Sequence, residues 1–286
     1  MNLDRLTLFF GRATDIEARV YAQAPAEVVG DFALTGTVLG PYCEYSQTLP
    51  AKTTLRDLGP GPSLLGEAIV PDPCFWTPDE PYYYRVHVQL QQGDRVVAQS
   101  ERLLGIRPLA VERRNLFFKS KRWVVRGVVS REEDLAAWHR APAAMWVEQP
   151  NEELCRAAST TGVLLLAALS GDDLLVELDR LSRWPAVGIA VLPRYARLPE
   201  SRLLKNLLLA EHFGSQEPLD PSPWAQLVVV DVADAVEFSQ RAASCALPIL
   251  ARRPAPEQLN VAEARGACDA LQRELAPFGD FAGYLV

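Results

Sequence analysis

The sequence has 286 residues, 49% of them hydrophobic and 23% charged, enough apolar material for one large core or two ordinary ones. A formal net charge of -7 and a pI near 5.2 leave no broad basic surface, so nucleic acid is not an expected partner. No apolar run approaches the roughly 20 residues that cross a bilayer, and the opening run 6–10 lacks the cleavage pattern of a signal peptide, so a soluble cytoplasmic protein with no membrane contact is expected.

In chain order, the runs 6–10, 16–22, 31–38, 82–90 and 96–104 are short and β-prone. They are punctuated by Gly40-Pro41, Gly59-Pro60-Gly61-Pro62, Pro71-Asp72-Pro73 and Gly93-Asp94, as an antiparallel sandwich requires. In 82–90, Tyr84, Val86, Val88 and Leu90 alternate with Tyr83, Arg85, His87 and Gln89, the period of a half-buried strand, which places His87 on the wet face. Ser63 sits in a Pro/Gly turn without the strand-turn-helix context of a nucleophile loop, and the turn has no phosphate-loop lysine, so no cofactor is expected. Cys43, Cys74, Cys155, Cys245 and Cys268 are odd in number and scattered, with only three histidines in the chain, which argues against a metal site or a disulfide framework. Free thiols are expected, with Cys43–Cys74 the one pairing worth checking.

After Asn115 the rhythm becomes apolar strand, polar connection, helical stretch and strand again. Strands are expected at 123–129, 144–147, 163–169, 187–192, 207–209, 227–230, 247–250 and 281–286, each nearly continuously apolar, as parallel strands buried on both faces are. Helical patterning falls at 131–140, 151–160, 172–183, 232–243 and 256–276. Eight parallel strands close into a barrel through right-handed crossovers; with one strand misread, an open doubly wound sheet is the alternative. The stretch is short for such a barrel, and 197–206 and 214–225 leave room for little more than a turn of helix. The expected organisation is a β-sandwich over 1–110 followed by a reduced (β/α)8 barrel of the TIM type over 111–286.

Several stretches are similar to glycoside hydrolase family 2, the group of β-galactosidases, β-glucuronidases and β-mannosidases. The segment Phe75-Trp76-Thr77-Pro78-Asp79-Glu80-Pro81-Tyr82-Tyr83-Tyr84 resembles the family's entry into a late sandwich strand. Gly105-Ile106-Arg107 resembles its glycine-arginine turn, and 117–128 resembles the start of its barrel. Pro150-Asn151, Glu153-Leu154-Cys155, Gly162-Val163-Leu164-Leu165 and Trp184-Pro185-Ala186-Val187 continue the likeness through strands two to four. The resemblance implies an immunoglobulin-like sandwich ahead of the barrel. It also implies glycosidase chemistry, but the departures fall on the reacting residues. The family's acid/base pair falls on Arg194-Tyr195 and its nucleophile on Arg253; its strand-three acid falls near Ala168, and its strand-two histidine region reads Val147-Glu148-Gln149. A retaining glycosidase needs two carboxyls about 5 Å apart, and 190–197 and 249–255 contain neither Asp nor Glu.

Ligands of parallel barrels bind at the C-terminal ends of the strands. There the sequence places Ser130, Glu148, Ser170, Arg194, Tyr195, Glu211, His212, Asp231, Arg252 and Arg253. Glu211-His212 could form a proton-transfer pair, with an exposed ion pair the more common arrangement, and Arg252-Arg253 opposite Arg194 could bind an anionic group, with solvated charge the more common arrangement. Of the tryptophans, Trp123 and Trp146 lie in strands and Trp138 on an apolar helix face, so packing is expected of them before sugar stacking. Three functions follow as expectations: a catalytically inactive relative that binds, scaffolds or regulates, with carbohydrate or a small anion as ligand; a hydrolase with relocated acids; or a structural protein with a filled barrel mouth. Because 214–225 is rich in proline, strands five and six are expected to lie uncovered and to favour a homodimer.

Overall fold

The computed structural model describes all residues except Met1, Asn2, Asp4, Val29 and the stretches 130–132, 199–205 and 255–258, so Ser130 lies outside the described residues. The chain divides into two units, one of Met1–Arg107 with Arg183–Pro185 and one of Pro108–Ser182 with Ala186–Val286. No helix of the described residues is long and apolar enough to cross a membrane.

The first unit contains β1 (Thr7–Ala13), β2 (Glu17–Gln23), β3 (Ala33–Tyr42), β4 (Ala51–Asp57), β5 (Leu65–Pro71), β6 (Tyr83–Gln92) and β7 (Arg95–Leu104). They form one hydrogen-bonded antiparallel sheet in the order β1-β2-β5-β4-β3-β6-β7. The expected sandwich is thus a curled sheet folded over its own core. β4 makes the turn between its halves: it pairs with β3 from Gly36↔Leu55 to Gly40↔Ala51 but with β5 only at Arg56 and Asp57. Alternation is strict in β6, where Tyr84, Val86, Val88 and Leu90 are buried while His87 lies on the half-exposed face, as expected. Val20, Leu34, Val38 and Leu55 join them in the core; each such side chain contributes about 1.5–3 kcal/mol by leaving water.

The family-like motifs of this unit are packing devices. Arg107 is buried, its guanidinium lies 5.8 Å over the Trp76 ring and donates to the Pro185 carbonyl, and burial pushes its pKa down to about 10. A Cβ on Gly105 would stand 2.6 Å from Pro185 Cβ and 3.0 Å from Trp76 Cβ, so only glycine fits there. Buried Tyr84 accepts from Cys74 N–H at 2.9 Å, and desolvation raises its pKa. All five cysteines are free thiols.

In the second unit, β8 (Leu109–Glu112), β9 (Asn115–Phe118) and β10 (Lys121–Trp123) form a small antiparallel sheet that sequence reasoning did not foresee. Then β11 (Val125–Val128), β12 (Ala144–Glu148), β13 (Leu165–Ala168), β14 (Val187–Leu192), β15 (Leu208–Phe213), β16 (Leu227–Asp231), β17 (Ile249–Arg252) and β18 (Gly283–Leu285) close into a parallel barrel in chain order. All eight expected strands are present, and the barrel leaves no sheet edge. Around it run α1 (Leu135–Arg140), α2 (Glu152–Thr161), α3 (Leu174–Leu181), α4 (Ala235–Ala243) and α5 (Val261–Leu275). Asn151 caps α2 through Leu154 N–H and left-handed Gly162 ends it; Asn260 and Glu263 make a reciprocal capping box on α5.

Among the described residues no helix separates β14 from β15 or β15 from β16. Even so, Leu207, Leu209, Val228 and Val230 are buried within the single chain, contrary to the expectation of an uncovered patch. The proline-rich segment 214–225 takes the place of a helix. Arg241 of α4 donates to the carbonyls of Gly214, Ser215 and Glu217, Trp224 Nε1 donates to Ala196 O at 2.9 Å, and Ser222 is tied to Glu211. The apolar area argued to drive a dimer at this place is already covered.

Candidate functional site

Strand parity divides the polar residues at the barrel mouth into two sets. A Cβ on Gly127 would meet Leu285 Cδ2 at 2.2 Å and Leu166 Cδ1 at 2.7 Å; Leu166 belongs to a strand that does not neighbour β11, so all three face the barrel interior. Partners across a parallel ladder share a face, and residues two apart along a strand do too. Gly127 pairs with Ala144, so Trp146 and Glu148 face inward; Leu166 pairs with Ile189 and Ile189 with Leu208, so Ala210 and His212 do as well. His212 pairs with Val229, Asp231 with Arg252, Arg252 with Leu285, and Leu285 with Gly127 again. The circuit closes consistently.

Three inward residues from consecutive strands meet, with a fourth from across the barrel. His212 Nε2 lies 3.1 Å from Asp231 Oδ1, and Arg252 Nη1 donates to the same oxygen at 3.1 Å. The Arg252 guanidinium lies 4.7 Å over the Trp146 ring, and Trp146 meets His212 edge to face at 6.2 Å. Burial alone would raise the Asp231 pKa, but the His212 hydrogen bond and the charge of Arg252 outweigh it and hold the carboxylate below its ordinary value. His212 Nε2 either donates to Asp231 Oδ1 or accepts from Arg252 Nη1, 3.3 Å away; donation to Asp231 leaves the lone pair on Nδ1. The side chains of His212, Asp231 and Arg252 are 29%, 26% and 19% exposed, so the cluster reaches solvent. Glu148 shares the inward face and is exposed at the rim.

The remaining candidates face outward, which excludes two groupings that the sequence left open. Glu211 pairs with Val228 and so faces away from its chain neighbour His212. It is 1% exposed, accepts from Ser222 N at 2.7 Å, Ser222 Oγ at 2.9 Å and Tyr195 N at 3.3 Å, and anchors the covering loops. No Glu211–His212 proton-transfer pair exists, because adjacent strand residues point to opposite faces. For the same reason Arg253 does not join Arg252: it makes a bidentate pair with Glu274 of α5 at 2.6 and 2.8 Å. Arg194 stacks over Tyr195 at 4.5 Å and over outward-facing Phe213 at 5.3 Å, with Glu217 at 3.7 Å, so it does not oppose Arg252 across the mouth. Tyr195 itself is largely exposed. Trp146, read from the sequence as packing alone, is the member that sequence reasoning missed. Its place two residues before Glu148, on the same face, was the available signal. Among the described residues no group of three or more His, Cys, Asp or Glu could hold a metal ion.

Residues 16–107 match the family model described as glycosyl hydrolases family 2. Over this stretch the chain is similar to glycosyl hydrolases family 2. Several solved structures share its fold along nearly its whole length. A β-glucuronidase from Ruminococcus gnavus in complex with D-glucaro-d-lactam matches with a TM-score of 0.70 at 11% identity, covering 99% of this chain and 61% of that one. β-Glucuronidase 2 from Bacteroides uniformis, covalently bound to cyclophellitol-6-carboxylate aziridine, matches with a TM-score of 0.66 at 14% identity, covering 98% and 45%. A glycosyl hydrolase family 2 member from Bacteroides cellulosilyticus matches with a TM-score of 0.66 at 15% identity, covering 98% and 43%. At such identities the likeness shows the fold alone, and the chain spans only about half of these proteins. Among curated proteins none matches the sequence.

Proposed function

We propose that this family 2-like chain is a pseudoenzyme, a reduced (β/α)8 barrel that binds a ligand at its mouth and does not cleave glycosides. The observation that carries this reading is the inward cluster of Trp146, His212, Asp231 and Arg252, which stands where parallel barrels take their ligands. The resemblance puts the nucleophile at Arg253, directly after β17, and a guanidinium cannot attack an anomeric carbon. Glu211, the buried carboxylate of β15, faces the loops and is saturated with hydrogen bonds.

A second reading, relocated catalysis, has one observation in its favour: Glu148 and Asp231 both face inward. The two readings part on chromogenic β-glucuronide, β-galactoside and β-mannoside. The binding reading expects no release of chromophore above a no-protein blank. Release that disappears in both Glu148→Gln and Asp231→Asn would replace it with the catalytic one.

A further inference from the structure

Besides the second oxygen of Asp231, the cluster at the barrel mouth has two open hydrogen-bonding positions among the described residues, one on Arg252 and one on His212. Arg252 uses only Nη1 toward protein among the described residues, on Asp231 and beside His212. Its Nε and Nη2, the two donors of one guanidinium edge, have no protein partner there and are not sealed from solvent. That edge is the fork that matches the two oxygens of a carboxylate or phosphate. Its plane is fixed in advance, by the Trp146 ring on one side and by Asp231 on Nη1, so little side-chain freedom is lost when it binds. His212 contributes the second position. When Nε2 donates to Asp231, Nδ1 is an acceptor without a protein partner among the described residues.

Trp146 is no sugar platform, because Arg252 covers its face and the residue is 9% exposed. Recognition by ring stacking, the usual means of holding a neutral sugar, is therefore closed at this position. Two donors in a fork remain, beside the free ring nitrogen of His212 and the second oxygen of Asp231.

Resting on the binding reading above, we infer that the mouth takes a polyhydroxylated anion, its carboxylate or phosphate on the Nε–Nη2 edge of Arg252 and a neighbouring hydroxyl donated to His212 Nδ1. A hydroxyl both donates and accepts, so the same ligand satisfies both positions. Asp231 partly offsets the charge of Arg252 and holds its fork in place.

The test is calorimetry on the whole chain with probes of one carbon skeleton: D-gluconate for the carboxylate, sorbitol 6-phosphate for the phosphate, and sorbitol as the neutral control. Acetate and inorganic phosphate supply the anion without hydroxyls. At least one of the two acidic polyols should bind ten-fold or more tighter than sorbitol and than its bare anion, and the stronger of the two names the anionic group. Arg252→Gln should lower the acidic polyol to the level of sorbitol, as should Arg252→Lys, which keeps the charge but not the fork; His212→Phe should lower it to the level of the bare anion. Arg253→Gln, on the outer face, should leave affinity unchanged. Sorbitol binding as well as the acids, with Arg252→Gln and Arg252→Lys both silent, overturns the anion inference while the mouth remains a binding site. No saturable binding of any probe overturns the inference and the binding reading together.

Discussion

The inner and outer faces of β15, β16 and β17 carry the same kinds of side chain and put them to different ends. On the outer face, Glu211 holds the Ser222 hydroxyl and two backbone N–H groups, and Arg253 holds both oxygens of Glu274. Every strong valence is met by the chain itself. On the inner face, His212, Asp231 and Arg252 satisfy one another only in part and keep a donor edge and an acceptor for something else. Ionised residues at strand ends are therefore not by themselves a sign of a site. What distinguishes the two faces is whether the chain closes the network.

The sharpest way to break this comparison is to remove Glu211. Glu211→Ala leaves the part-buried donors of Ser222 and Tyr195 without this acceptor and opens a space around a buried position, and should destabilise the fold by about 2 kcal/mol, measured by urea denaturation; a loss below ~0.5 kcal/mol would mean that Glu211 anchors nothing. On the inner face, Gly127→Val should cost about 1–3 kcal/mol, because the new side chain meets Leu285 and Leu166 in a packed interior. A variant as stable as the parent would show that the barrel beneath the mouth is not filled. Asp231 should leave a mark on the acid limb alone. Its folded pKa lies below the unfolded value, so its contribution is present above that value and is lost as pH falls through the folded pKa. Asp231→Asn should therefore flatten the stability profile below about pH 4 and leave its shape at neutral pH unchanged, read from thermal melts across pH. The smallest effect belongs to Arg253→Met, whose ion pair is 36% and 46% exposed. It should cost no more than about 1 kcal/mol, and less in high salt.

The barrel was legible in the sequence because each strand is apolar on both faces, and eight such runs in order allow few arrangements. β4 and β5 were not. In β4 only Leu55 is fully buried, and the buried face of β5 is Gly66, Ala68 and Val70, too small to stand out beside the Gly59–Pro62 turn. The small sheet β8–β10 escaped for a different reason: its turns lie at Arg113, Lys119 and Ser120, which adopt positive φ although none is the glycine or asparagine that marks such turns. Of the site, the strand ends were legible and the faces were not read. A period of two separates Glu211 from His212 and Arg252 from Arg253 without any coordinates. The stacking of Arg252 on Trp146 was beyond the sequence, since it joins strands on different sides of the barrel.

Arg241 ties down three carbonyls of a segment that has no helix of its own. Pro218, Pro221 and Pro223 already restrict that segment before folding, which lowers the entropy it has to give up. An irregular surface stretch of this length is ordinarily where a protease enters first. Here the enzyme would need a local opening that frees the guanidinium from all three carbonyls and Glu211 from Ser222 at once, so the segment's resistance to cleavage is set by side chains outside it, on α4 and β15.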